Sequence, residues 1–193
     1  MSERAALGDL LNGSTLPEWP RVAEAMTVRQ VMAGATVFRQ DEVQPHVYGV
    51  RHGLVKLCYL DLHGNEWIKS FVGEGGFFAS LVALAPGGRT SFMAVALEDS
   101  TLERVDHALL DDLASRHLAW SRALHALMMA HSIRKEQRER ELLTLSAEAR
   151  YRAFLETHPD LAMRIPQKDL ARHLGVTPVG LNRIVRRVRE TGG

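Results

Sequence analysis

Residues 165–188 read IPQKDLARHLGVTPVGLNRIVRRV. Leu170, Leu174, Val176, Leu181, Ile184, Val185 and Val188 are its apolar positions, and they recur at helical spacing on both sides of Gly175. Gly175 stands where a chain leaves a helix through a left-handed residue. Thr177 offers a hydroxyl as N-cap, and Pro178 takes the first helical position, where a missing N–H costs nothing. The stretch therefore predicts two short helices meeting at a tight corner, a helix-turn-helix. From Arg164 to Arg189 there are seven Lys/Arg and one acid, Asp169, a local charge of +6 on a chain whose formal total is +1. A second helix carrying Asn182, Arg183, Arg186 and Arg187 suits a phosphate-lined groove.

The rest of the 193 residues reads as a soluble globular protein, 46% hydrophobic and 24% charged. No apolar run approaches the ~20 residues of a membrane span, and MSERAALGDLLNGS lacks the pattern of a secretory signal. A cytoplasmic location is the default expectation, with no membrane partner. The lone cysteine, Cys58, excludes an internal disulfide and any multi-cysteine metal or iron–sulfur site. In the alternating stretch VKLCYL it reads as a small sheet or core residue.

Residues 1–20 read as a short helical lead-in around Leu7, Leu10 and Leu11. From Ala35 to about Leu102, short β-rich runs (ATVF, HVYGV, LVKLCYL, EWIKSFV, SFMAVAL, STLERV) alternate with turn residues. That spacing predicts a small antiparallel barrel or roll over residues 21–110. Within it, Phe77 to Ala85 reads as one or two helical turns, followed by PGGRTS. Residues 111–145 read as helical, broken near Ser115-Arg-His117. Leu118 to Leu145 holds no Gly or Pro, so one long helix is expected. Trp120, Leu124, Leu127 and His131 follow the 4-3-4 spacing of a coiled-coil seam, which predicts pairing with a second copy. Residues 146–193 form the last domain, opening on Ser146 and carrying the helix-turn-helix. The fold class is thus α+β: an antiparallel β-roll of jelly-roll type, a long dimerisation helix and a C-terminal helix-turn-helix.

This order resembles the Crp/Fnr family, that of the catabolite activator protein and the fumarate–nitrate reduction regulator. The segments that carry the resemblance are VYGVRHGLVKL, DLHGNEWIKSFVGEGGFF, RTS, ALEDSTLERVD, LSAEARYRAFL and residues 165–188, together spanning about 21–189. It implies a homodimeric transcription regulator that binds double-stranded DNA. Such a protein pairs through the long helix and senses a small-molecule effector in a cyclic-nucleotide-binding-like roll. RNA polymerase is an implied further partner.

Four departures shape those expectations. The family's effector cassette reads Gly-Glu-Leu, a loop, then Arg-Ser-Ala; here it is Ala79-Ser80-Leu81, then Arg89-Thr90-Ser91. Arg89 and Thr90 keep the phosphate half, but Ser80 lacks the glutamate's charge. Losing one charge-assisted bond costs roughly 1.5–3 kcal/mol, about one to two decades of affinity. A cyclic nucleotide stays open as effector, and tight binding of one is argued against. In the reading helix, Pro178 and Val179 replace Arg and Glu, so two base-edge contacts are missing while Arg183 is retained. Gln167, Lys168 and Thr177 are expected on phosphates, with Arg187 as electrostatic footing. The oxygen-sensing branch's cysteine cluster is absent, so no iron–sulfur cluster is expected. Only a few residues follow the reading helix, so the family's β-wing is expected to be missing or reduced to its start.

Two other classes compete. A β-roll metal enzyme would need ligands, but His46, His52 and His63 lack the His-x-His pair and carboxylate of such sites, and no catalytic residues are assigned. An effector-independent regulator acting by protein contact is the other alternative, opposed by the Arg183, Arg186, Arg187 cluster.

Overall fold

The alternating runs become eight strands because β-branched and aromatic residues fit a pleated surface with one face buried. The computed structural model describes residues 6–191; the first five residues of the expected lead-in lie outside them. In chain order the elements are α1 (Ala6–Leu11), a 3-10 turn at Gly13–Thr15, α2 (Trp19–Ala25), β1 (Thr27–Val31), β2 (Thr36–Phe38), β3 (His46–His52), β4 (Val55–Leu60), β5 (Glu66–Val72), β6 (Phe77–Phe78), α3 (Leu81–Leu84), β7 (Met93–Ala96) and β8 (Ser100–Asp106). The helical part follows: α4 (His107–Arg116), α5 (Leu118–Thr144), α6 (Ala147–Thr157), α7 (Pro159–Arg164), α8 (Gln167–His173) and α9 (Pro178–Thr191).

Two four-stranded antiparallel sheets, ordered β1-β8-β3-β6 and β2-β7-β4-β5, form the roll. Between them lies an apolar core that includes Val37, Phe38, Tyr48, Val50, Leu57, Phe78, Phe92 and Leu102. Phe38 packs its ring 5.5 Å from Tyr48 and 5.6 Å from Phe92. Cys58 is buried in β4, and burial pushes its thiol up to about 11, so it is a packing residue.

The N-terminal helix is tied to the roll by a buried charge. Glu103, 0% exposed, accepts from the backbone N–H groups of Ala6 (2.9 Å) and Leu7 (2.7 Å) and from Arg51. A carboxylate at the positive end of α1 meets donors that have no helical partner. Gly49 makes the approach feasible, because a Cβ there would stand 2.7 Å from Leu7 Cγ.

The long helix corrects one expectation. Trp120, Leu124 and Leu127 do not face outward. Trp120 is 0% exposed, and the stripe packs on Leu7, Leu11, Val22, Val105, Leu110 and Leu113 of its own chain. The Trp120 indole N–H donates to the Pro17 carbonyl at 2.7 Å, and its ring stacks on Trp19 at 6.1 Å. His131, one turn on, is half-buried toward β5, where burial first and then Lys69 disfavour its charged form. The physical reason is that α1 and α2 build an apolar bed on the roll, and α5 buries its densest apolar stripe there. A second stripe faces solvent: Ala119, Ala126 and Ile133 seven apart, with Met129 and Leu143 between and beyond them. Met129, Ile133 and Leu143 are 48%, 57% and 78% exposed.

Candidate nucleic-acid interface and effector cassette

The corner between α8 and α9 is built from local chemistry. Gly175 takes φ +69°, the left-handed exit that a side chain would resist. The Thr177 hydroxyl accepts from the Gly180 N–H at 3.1 Å, which is the N-cap bond that starts α9. Leu181 is fully buried, and Ile184, Val185 and Val188 pack beside it on Tyr151, Phe154, Leu170 and Leu174. With that stripe inward, Asn182, Arg183, Arg186 and Arg187 project to solvent.

These side chains differ in how they are held. Arg183 and Lys168 form no hydrogen bond or ion pair among the described residues. Arg186 reaches Glu190 at 3.6 Å one turn on, an exposed pair of little energetic weight. Arg187 bridges to Glu148 of α6 at 3.1 Å. Gln167 of α8 donates through its amide to Asn182 of α9, joining the two helices across the corner. Thr177 spends its acceptor on the cap. Gln167 and Lys168 of α8 and Asn182, Arg183, Arg186 and Arg187 of α9 are thus all exposed, and the Gln167–Asn182 bond joins the polar sides of the two helices.

The helix-turn-helix is seated on the roll through α8, which sequence reasoning missed. Leu54, Phe71 and Leu97 of the roll pack with Tyr151, Phe154, Ile165, Leu170 and Leu174. Asp169, the single acid of the basic stretch, is 1% exposed. Lys56 Nζ lies 2.7 Å from Glu66 and 3.7 Å from Asp169, and Arg172 lies 2.7 Å from Glu66 and 3.8 Å from Asp169. Two cations thus alternate with two carboxylates between α8 and the β4–β5 pair. Arg164 adds a second tie, at 2.8 Å to Glu74 and 2.6 Å to Glu98; its hydrogen bonds hold the Glu74 carboxyl down at about 2. His173 is buried against Phe71 and Phe154, and burial first, Arg138 second, depress its ring to about 3. It stays neutral at physiological pH. Arg138 of α5 donates to the His173 carbonyl, so α5 reaches the same seat. The one clue in the sequence was Asp169 itself, an acid on the apolar side of a basic helix.

The candidate effector cassette, residues 79–81 and 89–91, is tied to its own chain. Ser80 is 2% exposed and its hydroxyl accepts from the Ser91 N–H at 3.0 Å. Arg89 donates to the Asp41 carbonyl at 2.8 Å. Thr90, 1% exposed, donates to the Arg39 carbonyl and accepts from the Glu42 N–H. Arg89 and Thr90 thereby tie the β2–β3 loop to the roll, while Ser91 is held to Ser80. Leu81 is exposed, and Ala79 is half-buried. On the neighbouring surface Lys69 faces His131, Arg134 and Lys135 of α5; burial first, then Lys135 and Arg134, lower its ammonium to about 8. His46, His52 and His63 do not converge, and among the described residues no group of three His, Cys, Asp or Glu side chains could hold a metal ion. No described helix is long and apolar enough to cross a membrane.

Residues 28–117 match the model of the cyclic nucleotide-binding domain. The nitrogen fixation regulation protein FixK of Azorhizobium caulinodans is 26% identical over 185 residues, covering 89% of this chain and 73% of that protein. Among solved structures, FixK2 of Bradyrhizobium japonicum superposes with a TM-score of 0.77 at 22% identity, covering 86% of each chain. The catabolite activator protein of Thermus thermophilus does so with a TM-score of 0.56 at 26% identity, covering 95% of this chain and 88% of that one.

Proposed function

We propose that the chain is a DNA-binding transcription regulator of the Crp/Fnr family, acting as a homodimer whose two α9 helices read successive major grooves of a pseudo-palindromic site. The observation that carries this reading is the exposed surface of Gln167, Lys168, Asn182, Arg183 and Arg186, held over a buried apolar stripe. Guanidiniums on such a helix suit the acceptor-rich edge of guanine and the phosphates beside it. Dimerisation is assigned to the outward stripe of α5, with Ala119 and Ala126 small enough for close helix approach and Met129, Ile133 and Leu143 supplying apolar area. An exposed apolar stripe of this length is costly in a lone subunit and is covered by a second copy. A site about one helical turn from the first is then presented to each subunit.

The cassette supports a regulator that does not depend on tight cyclic nucleotide binding. Arg89 and Thr90, the residues that would hold a phosphate, are committed to the β2–β3 loop. Selection of bound fragments from a random duplex pool, with and without cyclic AMP, tests both points. A single inverted-repeat motif recovered equally in both arms is expected; absence of any enriched motif would sink the reading. Within α9 the roles divide. Arg183→Ala is expected to lower affinity by about 1–3 kcal/mol with relaxed sequence preference. Arg187→Ala, already paired to Glu148, should weaken all duplexes alike and by less, as read in gel shifts on matched and scrambled sites.

A further inference from the structure

Three strands of the roll bring two guanidiniums to the mouth of a cavity that the DNA-binding reading does not use. In register, Thr27 of β1 stands opposite Arg104 of β8, Arg29 opposite Leu102, and Tyr48 of β3 opposite Arg104. The two-residue period of a strand puts all five side chains on one face. Val37 of β2 closes the space from the other sheet, and together they line a cavity of about 370 Å³. That volume lies within the ~300–1,000 Å³ of small-molecule clefts.

Its charge is unbalanced. Neither Arg29 nor Arg104 makes an ion pair or a side-chain hydrogen bond among the described residues. Elsewhere in the roll Arg51 is spent on Glu103 and Arg89 on the Asp41 carbonyl. The acids beside the cavity have other partners: Glu42 accepts from the Arg39 N–H at 3.1 Å, and Asp106 caps α4 by accepting from the Ala108 N–H at 2.9 Å. The His46 ring, next to Tyr48, has its charged form disfavoured by burial and then by Arg104. The floor is stiff, since Tyr48 stacks on Phe78 at 5.1 Å and donates its hydroxyl to Gln44 at 2.9 Å.

We propose that this cavity binds a small organic anion, its carboxylate or phosphate held between Arg29 and Arg104 and its carbon body resting on Val37, Tyr48 and Leu102. A planar guanidinium takes either head group with two parallel hydrogen bonds, and an apolar floor favours an anion with a short hydrocarbon or aromatic part over a bare ion. The site is separate from the Arg89 cassette and stands whether or not the chain binds DNA as proposed.

Calorimetric titration of the full chain at constant ionic strength, with inorganic phosphate, succinate and benzoate as probes, tests it. One bound anion per subunit is expected for at least one probe. The double variant Arg29→Ala/Arg104→Ala should weaken it tenfold or more, Arg29→Lys/Arg104→Lys less, and Arg89→Ala not at all. Binding of phosphate alone assigns a phosphate head, and binding of benzoate or succinate alone a carboxylate. If no probe binds, or if the double alanine variant binds as the unmodified chain does, the proposal is wrong. Arg29→Gln alone, on the exposed edge strand, serves as the second variant should the double one fail to fold.

Discussion

The two sides of α5 carry similar apolar spacing and do opposite things. The side with Trp120, Leu124 and Leu127 is sealed against α1, α2 and the roll. The side with Ala119, Ala126, Met129, Ile133 and Leu143 is left open. Both run at three- and four-residue steps, so a heptad pattern alone does not say which stripe meets a partner and which meets its own chain. The difference teaches that a long helix can wall its own domain with one side and leave the other free for the second copy proposed above. The sealed side carries the indole of Trp120 and two leucines on a fixed bed, whereas the open side mixes the small Ala119 and Ala126 with Met129, Ile133 and Leu143.

The comparison breaks most sharply at Trp120. Trp120→Ala removes a fully buried indole and its bond to Pro17 and should cost ~3–5 kcal/mol of stability, read from urea midpoints. Sedimentation should still show the folded fraction as dimer; loss of the dimer at intact stability would reverse the assignment of the two sides. Next comes Met129→Glu with Ile133→Glu. Charge on the open side should give a folded monomer of unchanged spectrum, with DNA affinity reduced about 100-fold or more as the linked second half-site is lost. A dimer persisting in that variant would move the interface elsewhere.

The smallest effect concerns the sealed side's charged end, where Lys69 faces His131, Arg134 and Lys135. Its ammonium is lowered to about 8 from the ordinary lysine value of 10.5. Between those two values the folded chain releases the proton while the unfolded chain keeps it, so stability should rise with pH across that window. Below pH 8 both states are charged and the penalty is present in full. Lys69→Met should raise stability at pH 7 and flatten the rise, in denaturant titrations from pH 7 to 11.

How much of this was readable in advance depends on how far apart the determinants lie. The corner at Gly175, Thr177 and Pro178 was legible, because a left-handed exit, a cap and a proline act within four residues. The roll was legible as a class from period-two runs and turns, and Cys58 as a packing residue from its alternating neighbours. Which side of α5 is covered was not, since that depends on α1 and α2 arriving from about a hundred residues away. Arg89 and Thr90 matched a ligand motif by type, yet their partners Asp41, Arg39 and Glu42 sit in a distant loop, so their task showed only in three dimensions. Asp169 hid its meaning the same way, its nearest cations being Arg172 and the remote Lys56.

That last grouping has a consequence for domain exchange. A graft of residues 146–191 onto a foreign roll would carry Asp169 and Arg172 but leave Lys56 and Glu66 behind. The transplanted carboxylate would then be pressed into a surface with no matching ammonium, and expelling it costs several kcal/mol. Recombination at the 145/146 joint therefore selects for recipients whose fourth and fifth strands offer a lysine and a glutamate at the same heights, which makes these four side chains a compatibility code between the two halves of the chain.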